Sequence, residues 1–516
     1  MAESRTANSI RNSGMSVLAQ IVSIILNFIG RTFFIKLLNI DYLGVNGLFT
    51  NILTLLSLAE LGVGTAIVYM MYDPIAKGDI KKVAAFNNLI RKIYIIIGCF
   101  ILVSGLCVTP FLGYVIKDTL YIKENISIIY ILFLLNTSVS YFFTYKRSLL
   151  IAHQKEYLNS KNVIYFAIIK DLVLIVVLLL SQNYYLYLIS QIVITFFSNW
   201  AISRVADKMY PEIVKLKEEK ITNEEKVTIA KNTMGMVCHK IGSVIVSGTD
   251  NILISSYVGI GAVGIFSNYK LIQSVSKQVI SQAVNSVTAS VGNLRASSDN
   301  DRVYEVFKKL YFINFTMSYF ISIMFYALVD SFITIWIGSD FILNNLAVVI
   351  ITVNLFFNQI RIPSQVIINS YGIFWEIKWK SIIEAIINLI ASVSFAAVMH
   401  MGLTGILLGS IISNLATNLW WEPYAAYHYG MYKPLREYMY MFVRDVTIFC
   451  ITLTLVYIVN KTLAEMCANS ILLFIYQLCA GLFVSIAIFV LLCHRDRSFS
   501  FLTSTLIQLF RTILRK

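Results

Sequence analysis

The chain lacks the motifs of nucleotide and metal chemistry. It has no GxxxxGK[ST], so nothing cradles nucleotide phosphates for hydrolysis. It has no HExxH, no nucleophile elbow and no metal-spaced Cys/His set, and neither a metal nor a cofactor is expected. The seven cysteines, Cys99, Cys107, Cys238, Cys450, Cys467, Cys479 and Cys493, fall mostly inside apolar runs and form no CxxC pair. They read as buried hydrophobes, which excludes a disulfide framework. Charge is scarce too: 14% of the 516 residues are Asp, Glu, Lys or Arg, and the acids are outnumbered 28 to 42. No cleavable signal peptide is read, because twelve polar residues lead directly into a long apolar run.

What is present in excess is apolar surface. The chain is 58% hydrophobic, with a mean hydropathy of +0.73. Apolar stretches of about 20 residues recur from end to end, each long enough to cross about 30 Å of hydrocarbon. The fold class is therefore all-α, a polytopic membrane protein with about 14 transmembrane helices. Spans are predicted at Ser13–Leu37, Gly47–Met71, Ile93–Ile116, Ile126–Ile151, Val163–Leu180 and Tyr184–Ser203. After a charged segment they resume at Thr233–Tyr257, Gly261–Val291, Tyr311–Trp336, Leu346–Ser370, Ser381–His400 and Leu403–Trp421, with two more at Tyr440–Asn460 and Ser470–Cys493. The net charge of +14 does not point to nucleic acid here, since cytoplasmic loops of membrane proteins carry such an excess. With the N-terminus inside, roughly 32 of the 42 basic residues fall in inside segments and about 3 (Lys117, Lys123 and Lys461) outside. Both termini are predicted cytoplasmic, and the outer loops are short. Asp73–Lys92 reads equally as an interfacial helix or a solvated connection, and the tail Ser498–Lys516 as an interfacial helix.

The chain also repeats itself. LNIDYLGV at Leu38–Val45 matches VGIGAVGI at Val258–Ile265, a shift of 220 residues. An even number of spans separates the copies, which implies a parallel repeat about an axis along the membrane normal. The domain reading follows: an N-lobe at 1–203, a linker at 204–231, a C-lobe at 232–421, an appended pair of spans at 422–493 and a tail at 494–516. The two lobes are pseudo-symmetric, six helices each.

Several spans carry polar stripes at helical spacing. The eighth has Lys270, Lys277, Ser281, Asn285 and Thr288 on one face. The first has Ser16, Gln20, Ser23, Asn27 and Arg31; the second Thr50, Thr54, Ser57 and Glu60; the seventh Lys240, Ser243, Ser247 and Asp250, with His239 beside them. The tenth has Asn354, Asn358, Arg361, Gln365 and Asn369, with Pro363 marking a kink. A lysine at the bilayer centre costs about 2.5–3.5 kcal/mol, so such stripes need water or partners. Hydroxyls and amides alone would be packing contacts, worth about 0.6 kcal/mol each. Aligned with ionisable groups on several helices, they predict an aqueous cavity with basic residues Arg31, Lys240, Lys270, Lys277 and Arg361 against Glu60 and Asp250. A cationic cavity favours an anionic cargo, and arginine suits phosphate. Glu60, Asp250 and His239 are candidates for counter-charge or for coupling to Na+ or H+. Glu384 and the Lys170–Asp171 neighbours read as structural pairs.

Five stretches carry a family resemblance: IRNSGMSVLAQ at the start, GRTFFIKLLNIDYLGVNGLF at Gly30–Phe49, SLAELGVGTAI at Ser57–Ile67, DNILISSYVGIGAVGIFSNYKLI at Asp250–Ile272, and MGLTGILLGSIISN at Met401–Asn414. In order and spacing the chain resembles the bacterial flippases for lipid-linked oligosaccharides of polysaccharide, O-antigen and capsule export. Their superfamily also holds multidrug extrusion transporters and the lipid II flippase. The resemblance implies two lobes around a central cavity, alternating access, and transport without enzymatic chemistry in the cytoplasmic membrane. The implied cargo is an undecaprenyl-pyrophosphate-linked oligosaccharide, with membrane lipids and a polysaccharide polymerase as candidate partners. The basic residues that line the lipid II flippase cavity on its first and eighth spans fall on Arg31 and Lys270. The acid that follows the first of these is Thr32 here, a departure from that pattern, and a lipid II flippase stands as an alternative reading. A multidrug or cation antiporter of the same fold is the rival; it calls for an acid-dominated cavity. A membrane glycosyltransferase or polymerase needs catalytic acids or a long outer loop.

Overall fold

The computed structural model describes residues 5–60, 63–116, 122–216, 248–297, 300–371 and 375–494, with a few single positions between and after them. Lys240, His239, most of the predicted seventh span and nearly all of the tail lie outside the described residues. Among the described residues the structure is helical, without strands. Eleven helices among the described residues are long and apolar enough to cross a membrane. This is a multi-pass membrane protein, as a backbone in lipid must satisfy its hydrogen bonds within each helix. Several spans begin on asparagine caps that bind the otherwise orphaned first amides. Asn125, Asn183, Asn344 and Asn469 each accept such bonds, at 2.8–3.3 Å.

Contacts divide the chain into two units, residues 1–264 and 265–516. The first unit holds α1 (Arg5–Leu37), α2 (Ile40–Leu56), α3 (Val63–Lys77), α4 (Ile80–Val108), α5 (Ile126–Ala152), α6 (Glu156–Ser181), α7 (Tyr184–Met209) and the start of α8 (Ile260–Ser297). α1 lies along α6. Asn12 ties the two together, donating to the Gln154 carbonyl and accepting from the Tyr157 amide, both at 2.9 Å.

The predicted second span is not one helix. α2 ends at Leu56, a tight turn covers Ser57–Glu60, and α3 starts at Val63. Tyr94 explains the break. Its hydroxyl donates to Glu60 at 3.0 Å and occupies the place a side chain at Gly64 would need. Asp73–Lys92 resolves into the end of α3, a left-handed Gly78 (φ 72°) and the start of α4. Asp79 caps α4 through the Lys82 amide at 3.0 Å.

The two copies of the internal repeat meet reciprocally within this unit. Gly44 lies against the backbone of Ile260, and Gly264 against the backbone of Ile40. The pairs are related by the same shift of 220 residues that the sequence shows. Glycine is required because each helix presses on the other's main chain.

The second unit continues α8 and adds α9 (Asn300–Trp336), α10 (Asn345–Ile360), α11 (Ile362–Tyr371), α12 (Lys380–Val393), α13 (Gly402–Ser413), α14 (Leu419–Ala425), α15 (Leu435–Met466) and α16 (Ser470–Cys493). α9 is its central post. Phe315 and Tyr319 of α9 pack on Phe489 of α16, and Phe356 of α10 stacks on Phe449 of α15 at 4.0 Å. Tyr319 also reaches both appended helices, bonding Thr452 and the Ser485 carbonyl at 2.9 Å each. In the apolar segment of α9, 61% of the residues are buried, whereas in that of α16 only 17% are. The predicted tenth span breaks where Pro363 foretells it: α10 ends at Ile360, Arg361 is the joint, and α11 follows.

Candidate functional site

The first unit contains an open cavity of about 740 Å³ lined by α1, α3, α4, α5 and α6. Ser16, Gln20 and Ser23 of the α1 stripe lie on its wall, as their spacing of four and three requires. Across from them stand Tyr94, Arg147, Glu156, Asn159 and Ser160. Ser16 and Ser160 hydroxyls meet at 3.2 Å. Arg147 is held firmly: Nε and Nη2 donate to Asn199 at 3.3 and 3.1 Å, and Nη2 to Asn162 at 2.9 Å. Asn162 is itself oriented by α7, through the Ser198 carbonyl and hydroxyl.

The second unit contains a buried ionic network. Lys380 Nζ donates to Asn418 at 2.7 Å and Glu422 at 2.8 Å, and pairs with Glu384 at 3.3 Å. Glu422 also binds Arg361 Nε and Gln365, each at 3.2 Å. Asn418 donates to Glu384 at 2.6 Å and to Asn414 at 2.7 Å, and Asn414 accepts from Arg361 at 3.2 Å. Two cations and two carboxylates thus balance, as burial of charge demands. The backbone between α13 and α14 contributes: Asn414–Asn418 is a π-helical turn, which sets both asparagines on the network side.

The predicted site residues fare differently. Arg31 is half-buried on α1 in the first unit. It lies about 12 Å beyond Ser23 along the helix axis. Its neighbour Gly30 faces Asp171 of α6, and Tyr187 of α7 interacts electrostatically with both Arg31 and Asp171. Glu60 is anchored by Tyr94 behind the cavity wall. Asp250 is buried, 4% exposed. Lys270 and Lys277 are half-buried on α8 in the second unit, with the Lys270 ammonium 5.2 Å from the Phe266 ring. Sequence pattern puts Arg361 on an open cavity wall, but its guanidinium is taken up by Glu422 and Asn414 and is 12% exposed. Glu384 is a structural pair, with Lys380 four residues before it. Arg147 and Glu156 escape sequence reading because they sit among loop-proximal charges. Glu422 lies in a WWEPY run with no stripe. Among the described residues, no three His, Cys, Asp or Glu side chains converge to hold a metal.

A family model described as "Polysaccharide biosynthesis protein" matches residues 9–289, more than half of the chain. The chain belongs to the polysaccharide biosynthesis protein family. No curated protein sequence matches it. Among solved structures it is similar to the lipid II flippase MurJ in an inward closed conformation, with TM-score 0.65 and 14% identity, covering 93% of this chain and 98% of that one. It is similar to an inward-facing multidrug resistance MATE family transporter of the MOP superfamily, with TM-score 0.63 and 14% identity over 76% of this chain and 91% of that one. A third is a MOP superfamily transporter from Pyrococcus furiosus, described as having a binding pocket of reverse polarity. Its TM-score is 0.56 at 13% identity, over 83% of this chain and 96% of that one. At these identities the likeness establishes the fold, that of the MOP superfamily exporters. The polysaccharide family member therefore shares its framework with a flippase and with drug transporters.

Proposed function

We propose that the protein is a flippase of the cytoplasmic membrane. It carries an undecaprenyl-pyrophosphate-linked oligosaccharide from the inner to the outer leaflet, by alternating access and without covalent chemistry. The observation that carries this reading is the match to the polysaccharide biosynthesis family, in a chain whose fold is similar to that of a lipid II flippase. In this reading Arg31 of the first unit and Lys270 and Lys277 of the second are cations that serve the pyrophosphate during transport, with Lys240 adding positive charge. Arg361 joins them only by exchanging Glu422. Glu60, Asp250 and His239 balance charge or couple Na+ or H+ movement. Both termini lie in the cytoplasm, and a polysaccharide polymerase receives the product.

The test is the pair Arg31→Ala and Lys270→Ala, combined and assayed for surface polysaccharide at matched protein level. Loss of at least tenfold is expected. Undiminished polysaccharide rules the pyrophosphate site out. Drug resistance conferred by expression, with polysaccharide unaffected by deletion, would replace the reading with the antiporter.

A further inference from the structure

The first-unit cavity has the wrong charge for a pyrophosphate. It holds one guanidinium, Arg147, and one carboxylate, Glu156, near enough to interact electrostatically. A carboxylate facing the same space repels an anion, and the two together cancel any net attraction. The volume, about 740 Å³, lies in the range of about 300–1,000 Å³ for small-molecule sites and exceeds what a phosphate needs.

We propose that this cavity seats the sugar part of the cargo: a neutral, polyhydroxylated group of one or a few rings. The proposal rests on the flippase reading for the identity of the cargo, and on the cavity alone for its chemistry. Sugar hydroxyls both donate and accept, so they use a cation and a carboxylate side by side. Arg147 spends Nε and Nη2 on Asn162 and Asn199, and Nη1 has no partner among the described residues. Glu156 accepts from Asn159 through Oε2 at 3.0 Å, which leaves Oε1 for a hydroxyl. Asn159 is 5% exposed, and its Oδ1 is a buried acceptor with no donor among the described residues. A buried acceptor without a donor calls for a ligand or water to complete it. Gln20, exposed on the α1 wall, adds an amide that both donates and accepts. The apolar lining residues Tyr72, Ile151 and Val163 are exposed, and the cavity opens to the outside of the unit, so a headgroup can enter it.

The experiment uses the purified full-length protein in lipid nanodiscs. Saturation-transfer NMR reads binding of soluble neutral disaccharides (diacetylchitobiose, lactose and maltose), with inorganic pyrophosphate as competitor. Gln20→Trp fills the cavity from an exposed wall position and spares the packed core. Arg147→Gln removes the charge and keeps an amide for the asparagines. At least one disaccharide should give signal with the unaltered protein. That signal should fall at least tenfold in Gln20→Trp and in Arg147→Gln at unchanged melting temperature, persist in Lys270→Ala, and resist pyrophosphate. If Arg147→Gln melts early, Gln20→Trp alone decides. No signal from any disaccharide, signal untouched by Gln20→Trp, or displacement by pyrophosphate each overturns the proposal. Failure of the Arg31/Lys270 test would sink the pyrophosphate site while leaving this sugar binding intact, so the two are told apart.

Discussion

The reciprocal glycine contact makes the sharpest quantitative prediction. A methyl group placed on Gly264 would lie 2.5 Å from the Ile40 carbonyl oxygen. One on Gly44 would lie closer still to the Ile260 oxygen, and 2.9 Å from its carbonyl carbon. Real Cβ atoms essentially never approach other atoms within 3.0 Å. The obstacle in both cases is main chain at the first residue of a helix, which has no rotamer to change. The helices must part by roughly 1 Å, and close-packed interiors transmit such a shift. Overpacking of this kind costs about 1–3 kcal/mol per site. At about 2–4 °C per kcal/mol for a unit of this size, Gly44→Ala or Gly264→Ala should lower the melting temperature by several degrees. The two sites share one contact, so the double variant should cost less than the sum of the singles. Gly14→Ala is the control: nothing lies within 4 Å of its added methyl, and alanine favours the helix by up to about 1 kcal/mol. Thermal unfolding in detergent, followed by fluorescence-detected size exclusion, measures all four. A Gly44→Ala protein as stable as Gly14→Ala would refute the reciprocal packing and, with it, the structural meaning of the 220-residue repeat.

Two further outcomes follow from the buried charges and from one exposed turn. Glu422→Gln takes the carboxylate from Arg361 and leaves Lys380 with Glu384, and should destabilise the protein by about 3–5 kcal/mol, as removal of one member of a buried pair does. Adding Lys380→Met restores charge balance, so the double variant should melt above Glu422→Gln; a double that melts lower would show that the network is not balanced as described. His153, just past the end of α5, is half-buried, stacks on Tyr210 at 4.1 Å and has Nδ1 2.9 Å from the Leu149 carbonyl. Burial, with Lys155 nearby, lowers its pKa below 6.5 despite the carbonyl contact. The folded state then binds fewer protons than the unfolded one, so this contribution is intact above about pH 6.5 and is lost as pH falls through the folded pKa. His153→Phe should flatten the fall in melting temperature between pH 7 and 5; an unchanged slope would contradict the assignment.

The helical spans, their approximate number and the 220-residue repeat were legible in the chain. Hydropathy adds up over a local window, and lipid admits only backbone that bonds within its own helix. Helical spacing likewise placed Ser16, Gln20 and Ser23 on one face of α1, and Pro363 marked the break at Arg361. Periodicity says that a residue shares a face with its neighbours, but not what that face meets. Rotation of a helix about its axis is settled by remote side chains. Glu422, 61 residues along, claims Arg361, and Tyr94 bends the chain between α2 and α3. Arg147, one of several basic residues near a span end, is turned inward by Asn162 and Asn199 from two other helices. Composition and order thus determined a membrane-embedded, two-copy helical framework. Which charges pair, and which stand open to a ligand, was decided only when the helices packed, because an ion deep in the protein takes whatever counter-charge its neighbours bring within reach.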